Sequence, residues 1–259
     1  MRGALHLGGL KALLERQGHL TFPDGIYGYS IGSIVATALA FNLTLDQLSM
    51  MIEEAMHLDA IFEGITLTCV TDLVTKCGLV SMDRLEQSIV AIFQKHGIDL
   101  RGKVIADAPQ KLMIGASNLT TRKPVFFTGQ VPILTAIRAS ACIPGLFHPQ
   151  VVYGNVYVDG GVYMYYFDEY LPANCLSFIV SYSPKGLRPQ DLEGNLPELV
   201  KQLYCGQRHP PRSDSALWFK EDAVHVIHNV TRDDKARLIR QGYLQTVAFL
   251  SKRVAQKGK

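Results

Sequence analysis

Paired cysteines, runs of like charge, internal repeats and low-complexity tracts are all missing from this chain of 259 residues. The five cysteines, Cys69, Cys77, Cys142, Cys175 and Cys205, are odd in number and share no close spacing. That argues against a disulfide framework and makes a reducing compartment the expectation. No basic, apolar, small-residue leader is recognisable, so the expected location is intracellular, either cytoplasmic or peripherally bound to a membrane. On the same ground the Asn-x-Thr matches at Asn42, Asn118 and Asn229 read as chance rather than glycan sites. A formal charge of +3 is too small to point to nucleic acid. Only Lys252, Arg253, Lys257 and Lys259 cluster, which adds at most a modest attraction to anionic lipid. With no Pro/Gly/Ser-rich linker and an ordinary 47% of hydrophobic residues, a single folded domain over residues 1–259 is expected.

Charge is also absent from Ile26 to Leu45, long enough to raise a transmembrane reading. The polar and small residues inside it, Gly28, Ser30, Gly32, Ser33, Thr37, Asn42 and Thr44, fit a short buried strand, a tight turn and a buried helix better. Leu7, Leu10, Leu13 and Leu14 predict a helix over Ala4–Gln17, stopped by Gly18. A strand at Ile26–Tyr29 then runs directly into a helix over Ile31–Phe41. Thr44 with Gln47 forms a capping-box signature for the next helix, through about Met56, and Ser81 can cap another over Met82–Lys95. Beyond these, strands are predicted at Leu112–Ala116, Pro124–Phe127, Val151–Val158, Cys175–Tyr182 and Ala223–His228. Helices are predicted at Ile133–Cys142 and Asp233–Val254. Alternating elements of this kind favour an α/β sheet with helices on both faces. Ser183–Ser215, rich in Pro, Gly and charge, reads as a surface excursion.

Gly28-Tyr29-Ser30-Ile31-Gly32 is the strongest chemical signal. A serine hydroxyl becomes a nucleophile only when it is exposed, oriented and set beside a base. Glycines two residues before and after the serine let a strand turn sharply into a helix, presenting the hydroxyl at the helix N-terminus. Two bases are open. In the order Ser30, Asp159, then His225 or His228, a triad fits, although only 29 residues precede Ser30, too few for the usual nucleophile position of an α/β-hydrolase. The alternation Val224-His225-Val226-Ile227-His228 makes each histidine more simply a packed or surface residue of a strand. Asp159, in Asp159-Gly160-Gly161, can instead take the serine proton directly. A carboxylate is a weak base in water, and partial burial strengthens it. Asp-Gly is equally a strong hairpin signal, so a plain turn remains the competing reading.

Taken in order, the serine motif, Ala139-Ser140-Ala141-Cys142-Ile143-Pro144-Gly145-Leu146-Phe147-His148-Pro149 and Asp159-Gly160-Gly161 resemble the patatin-like phospholipases. Gly78-Leu79-Val80-Ser81-Met82-Asp83 is similar to the family's segment leading into a middle helix. The resemblance runs to about Tyr182, and residues 183–259 carry no recognised motif. It implies a three-layer α/β/α fold with a mostly parallel central sheet. It also implies hydrolysis of fatty-acyl esters of phospholipids or related lipids by a Ser30–Asp159 dyad, without metal or other cofactor. Ser30 would form the acyl-enzyme and Asp159 would act as general base. The Ala139–Pro149 segment would support the dyad. A lipid substrate at a membrane surface is the implied partner, with neither nucleic acid nor a transmembrane segment involved.

The chain departs from the family pattern in two places, the first of which supports a rival. Members normally open with a strand and a glycine run whose amides form the oxyanion hole, and here only Met1-Arg2-Gly3 matches its end, with Arg2 and Gly3 as the remnant. Losing one such donor costs about a hundredfold to a thousandfold in rate. A catalytically weak or silent lipid- or partner-binding protein is therefore the alternative. In addition, Val162-Tyr163-Met164-Tyr165-Tyr166-Phe167 replaces the family's asparagine and proline, and fits either an acyl-site lining or an alternating core strand.

Overall fold

The computed structural model describes residues 3–54, 67–173, 175–181, 215–220 and 231–257. Helix α1 covers Gly3–Gln17, strand β1 Ile26–Tyr29, and helices α2 and α3 Ile31–Ala40 and Leu45–Glu54. Helix α4 (Leu67–Thr75), strand β2 (Gly78–Val80) and helix α5 (Asp83–Lys95) follow. The middle of the chain forms β3 (Leu112–Asn118), β4 (Lys123–Phe127), α6 (Ile133–Ala141), β5 (Gly145–Phe147), β6 (Gln150–Val152) and β7 (Asn155–Val158). Strands β8 (Ser177–Ser181) and β9 (Ala216–Lys220) and helix α7 (Arg232–Lys257) complete the described elements.

Local chemistry accounts for most of the boundaries. Gly18, at φ 75°, ends α1 and returns its N–H to the Leu14 carbonyl. Thr44 and Gln47 make the reciprocal capping box ahead of α3: the Thr44 N–H donates to Gln47 Oε1 at 2.9 Å, and the Gln47 N–H to Thr44 Oγ1 at 3.2 Å. Ser33 and Thr37 are buried within the apolar helix α2, where they donate to the Ser30 and Ser33 carbonyls. Gly8 and Gly242 bring α1 and α7 into backbone contact: a Cβ on Gly8 would lie 2.0 Å from the Ile239 carbonyl oxygen, and one on Gly242 would lie 2.2 Å from that of Leu5.

Strand β3 is the axis of the sheet. Ile26, Gly28, Leu112, Ile114 and Ala116 face α2 and α6 and join the main core with Val35, Leu39 and Ile137. The other face carries Tyr27, Tyr29 and Phe126 against Met164 and Phe167, from the chain that follows β7. Arg138 on α6 reaches outward and braces three elements, donating to Asp83 and Glu86 of α5 and to Gln150 of β6.

The expected α/β class holds, with three differences of detail. In its described ladders the main sheet is mixed rather than mostly parallel: β1 runs parallel to β3, whereas β4 and β7 run antiparallel to β3 and β6 antiparallel to β7. Two further parallel pairs, β2 with β5 and β8 with β9, stand outside that ladder path. Val151–Val158 is a hairpin of two strands rather than one, because Tyr153 and Gly154 both take positive φ and reverse the chain. Residues Val162–Phe167 form no strand. They run from one 3-10 turn (Gly160–Val162) to the start of another (Phe167–Tyr170). The strand expected at Ala223–His228 and the excursion over Ser183–Ser215 lie outside the described residues, apart from Ser215, and β9 was not foreseen. No described helix is long and apolar enough to cross a membrane.

Candidate active site

Ser30 sits where β1 gives way to α2, with φ 52° and ψ −135°. This left-handed backbone is costly for a residue with a Cβ, on the order of 1–3 kcal/mol, and persists only when the surroundings enforce it. The enforcement comes from α6. The Ser30 N–H donates to Ser140 Oγ at 2.9 Å and to the Ser140 carbonyl at 3.2 Å, and the Ser140 hydroxyl donates to the Gly115 carbonyl at 2.6 Å. Behind the turn, Gly28 lets α2 lie directly on β1: a Cβ there would stand 2.3 Å from the Gly32 carbonyl oxygen. Gly32 differs, because a Cβ on it would enter open space. The serine therefore stands at the N-terminal end of α2, whose first-turn amides are aimed at negative charge.

Asp159 arrives from the opposite direction. At Ile114, β3 pairs with Gly28 on one edge and Phe127 on the other, and at Ser117 it pairs with Val158 and Pro124. Strand β4 thus fills one edge, and β1 and β7 share the other, end to end. Tyr29 lies opposite Gly115 and Val158 opposite Ser117, leaving only Ala116 between them, about 7 Å along the strand. Ser30 and Asp159 are the residues at which the two strands leave that gap.

The Asp159-Gly160-Gly161 turn is pinned there. Gly160 packs so closely that a Cβ would lie 2.6 Å from Tyr29 Cβ and 2.9 Å from the Gly115 carbonyl oxygen. Buried Ser117 donates to the Gly160 carbonyl at 3.1 Å and accepts the Tyr163 N–H at 3.0 Å. The Asp159 N–H donates to the Cys142 carbonyl at 2.9 Å, so the end of α6 holds the backbones of both Ser30 and Asp159. Asp159 is 8% exposed, and its Oδ1 accepts the Gly161 N–H at 2.8 Å, capping the 3-10 turn. Asp159-Gly160-Gly161 is thus a turn, as the competing expectation had it, but a 3-10 turn fitted against β1 and β3 rather than a hairpin. Burial, with the negative charge of Asp159 adding to it, pushes the neighbouring Cys142 thiol up to about 12, so that sulfur stays protonated and inert.

Gly3 begins α1 and packs against Ile31, the first residue of α2: a Cβ on Gly3 would touch Ile31 Cγ1 at 3.4 Å. It therefore lies beside the serine turn. Arg2, His225 and His228 lie outside the described residues. Ser140 belongs to the Ala139–Pro149 segment expected to have a supporting role, and it holds the Ser30 backbone. Ser117 belongs to no motif, and its one signal in the sequence is a serine in an otherwise apolar stretch, where burial obliges the hydroxyl to find a partner. Tyr165 and Phe167 are buried rather than open to a lumen, Phe167 packing edge-on to Tyr29 and Tyr165 against Trp218.

Known proteins of similar sequence and of similar fold can now be set beside this geometry. The chain is 29% identical over 140 residues to the uncharacterized protein R571 of Acanthamoeba polyphaga mimivirus, covering 52% of this chain and 46% of that protein. It is 28% identical over 162 residues to an uncharacterized NTE family protein of Mycobacterium tuberculosis, covering 62% of this chain and 40% of that protein. The chain thus spans less than half the length of these relatives. In fold it is similar to VipD from Legionella pneumophila, with a TM-score of 0.53 at 15% identity, covering 97% of this chain and 65% of that one. The family model for patatin-like phospholipases matches residues 1–166, which contain both the serine turn and the aspartate turn. This chain belongs to the patatin-like phospholipase family.

Proposed function

We propose that the chain is a serine acyl hydrolase that cleaves fatty-acyl esters of phospholipids or related lipids, with Ser30 as nucleophile and Asp159 as general base. The observation that carries this reading is the end-to-end meeting of β1 and β7 on one edge of β3, which brings the serine and aspartate turns to one gap under the control of α6.

In the first half-reaction the Asp159 carboxylate takes the Ser30 hydroxyl proton as Oγ attacks the ester carbonyl carbon. The negative charge that develops on the carbonyl oxygen faces the N-terminal end of α2, with Gly3 of α1 beside it. Collapse breaks the bond to the alcohol, which leaves with the proton from Asp159, and the acyl group stays on Ser30. In the second half Asp159 takes a proton from water, hydroxide attacks the acyl-serine, and Ser30 recovers the proton as the fatty acid departs. An aspartate held by a backbone amide and buried beside the turn suits both halves, since it serves one proton at one position.

The rival, a silent lipid- or partner-binding member, differs in one measurable respect. With a dispersed fatty-acyl ester as substrate, the wild-type chain is expected to release fatty acid and Ser30→Ala to lose at least about a thousandfold in rate. His225→Ala and His228→Ala are each expected to keep most of the activity. Equal rates for the wild type and Ser30→Ala would favour the silent reading, and collapse in one histidine variant alone would favour a triad.

A further inference from the structure

Between Ala108 and Val158 the chain contains no aspartate or glutamate over 51 residues, although 23 occur in the whole sequence. Two loops from this acid-free span meet at one end of the sheet. The Leu119 N–H, in the β3–β4 connection, donates to the Val156 carbonyl at 2.8 Å, and Thr120 Oγ1 accepts the Val156 N–H at 2.9 Å. This ties the β3–β4 loop to the β6–β7 hairpin.

The two tips and the strand leading to one of them expose apolar and aromatic side chains beside basic ones. Val151 and Tyr153 are each 73% exposed and Leu119 is 39% exposed, while the charges alongside are the exposed Arg122 and Lys123. The backbone makes the choice of residues costly. Tyr153 and Gly154 form a two-residue hairpin connection with φ 48° and 75°, a position that favours asparagine, aspartate or glycine over an aromatic residue. Arg122 also takes a positive φ, 56°. A bulky side chain is thus held at strained backbone on each tip, with no partner in the described core to account for Tyr153.

We infer that these two tips form a membrane-docking surface for anionic phospholipid, in which Leu119, Val151 and Tyr153 enter the interface and Arg122 and Lys123 meet the headgroup charge. Apolar and aromatic residues beside basic ones are the composition that holds a peripheral protein at a negatively charged lipid surface. The placement also fits the catalytic reading on which this inference builds. Leu119 stands three residues beyond Ala116 on β3, about 10 Å from the gap shared by Ser30 and Asp159. A lipid surface resting on the tips would meet the sheet at the C-terminal end of β3, the end nearer the gap.

Binding is best measured by sedimentation of the full chain carrying Ser30→Ala, which uncouples docking from hydrolysis, with phosphatidylcholine vesicles containing or lacking phosphatidylglycerol. Vesicles with phosphatidylglycerol are expected to bind at least about tenfold more tightly. Val151→Ser with Tyr153→Ser should lower that binding about tenfold, and Arg122→Gln with Lys123→Gln should remove the preference for phosphatidylglycerol. Lys252→Gln with Arg253→Gln should leave it in place. All these side chains are at least partly exposed, and circular dichroism checks that the variants remain folded. Tip variants that bind like their parent, or loss of binding confined to the C-terminal variant, would overturn the inference. Hydrolysis of a water-soluble short-chain ester by tip variants with Ser30 intact should stay at the parent rate, so a failure of docking and a failure of the catalytic reading are told apart.

Discussion

Replacing Asp159 with asparagine is expected to reduce turnover of a fatty-acyl ester by about a thousandfold or more while leaving the fold intact. The amide is nearly isosteric, and its oxygen can still accept the Gly161 N–H that Oδ1 accepts at 2.8 Å, so the 3-10 turn keeps its cap. What disappears is the carboxylate that, on the proposed mechanism, accepts a proton from Ser30 and later from water. On the proposed mechanism the two residues act in the same steps, so Ser30→Ala with Asp159→Asn should be no slower than the worse single variant, which steady-state kinetics on all three would establish. An asparagine variant retaining a tenth of the activity with an unchanged unfolding midpoint would remove Asp159 from the role of base.

The second large effect concerns stability and separates the two glycines of the serine motif. Gly28→Ala would place a methyl group 2.3 Å from the Gly32 carbonyl oxygen and 2.6 Å from its carbonyl carbon, both backbone atoms that cannot rotate away. Strand and helix would have to part, at an expected cost of about 3 kcal/mol or more by urea unfolding. Gly32→Ala meets nothing within 4 Å and lies in the first turn of α2, so it is expected to hold or raise stability by up to about 1 kcal/mol. Its methyl group would nevertheless occupy open space beside the Ser30 turn, and catalytic rate should fall while stability does not. Equal destabilisation by the two substitutions would contradict this division of roles.

How much of this was legible in the sequence depends on whether the deciding interactions are local. The helices starting near Gly3, Ile31, Leu45 and Asp83 were readable because their apolar spacing, capping residues and terminating glycine lie within a few positions of one another. The serine turn was readable for the same reason, since two glycines and a strand-to-helix change are adjacent in the chain. Val151–Val158 reads as one strand by its alternation and because Tyr153 carries no turn signal; the glycine and asparagine that follow it are the local mark of the reversal, which the positive φ of Tyr153 and Gly154 completes. The mixed order of the sheet was beyond reach, because parallel and antiparallel neighbours of β3 present the same alternation of buried residues.

The site follows the same division. Resemblance to a family supplied the pairing of Ser30 with Asp159, since nothing local links residues so far apart in the chain. Register supplied the physical reason for their approach, with Tyr29 at Gly115 and Val158 at Ser117 leaving one residue of β3 between two strand ends. The supporting role of Ala139–Pro149 was legible by resemblance but its means was not: Ser140 bonds backbone atoms of Ser30 and Gly115, contacts that exist only after α6 has packed on the sheet. The acid-free span ending at Val158 was visible from the start, but it acquires meaning only once Leu119 and Val156 are known to be neighbours.

The claim that Ser30 is an activated nucleophile is tested most directly by a fluorophosphonate probe, with the adduct located by peptide mass spectrometry. The expected result is a single adduct on the peptide containing Gly28 to Gly32, assigned to Ser30, absent from Ser30→Ala and at least about tenfold slower to form in Asp159→Asn. Folded wild-type protein that remains unlabelled at Ser30, or that is labelled equally fast in the Asp159→Asn variant, would contradict it.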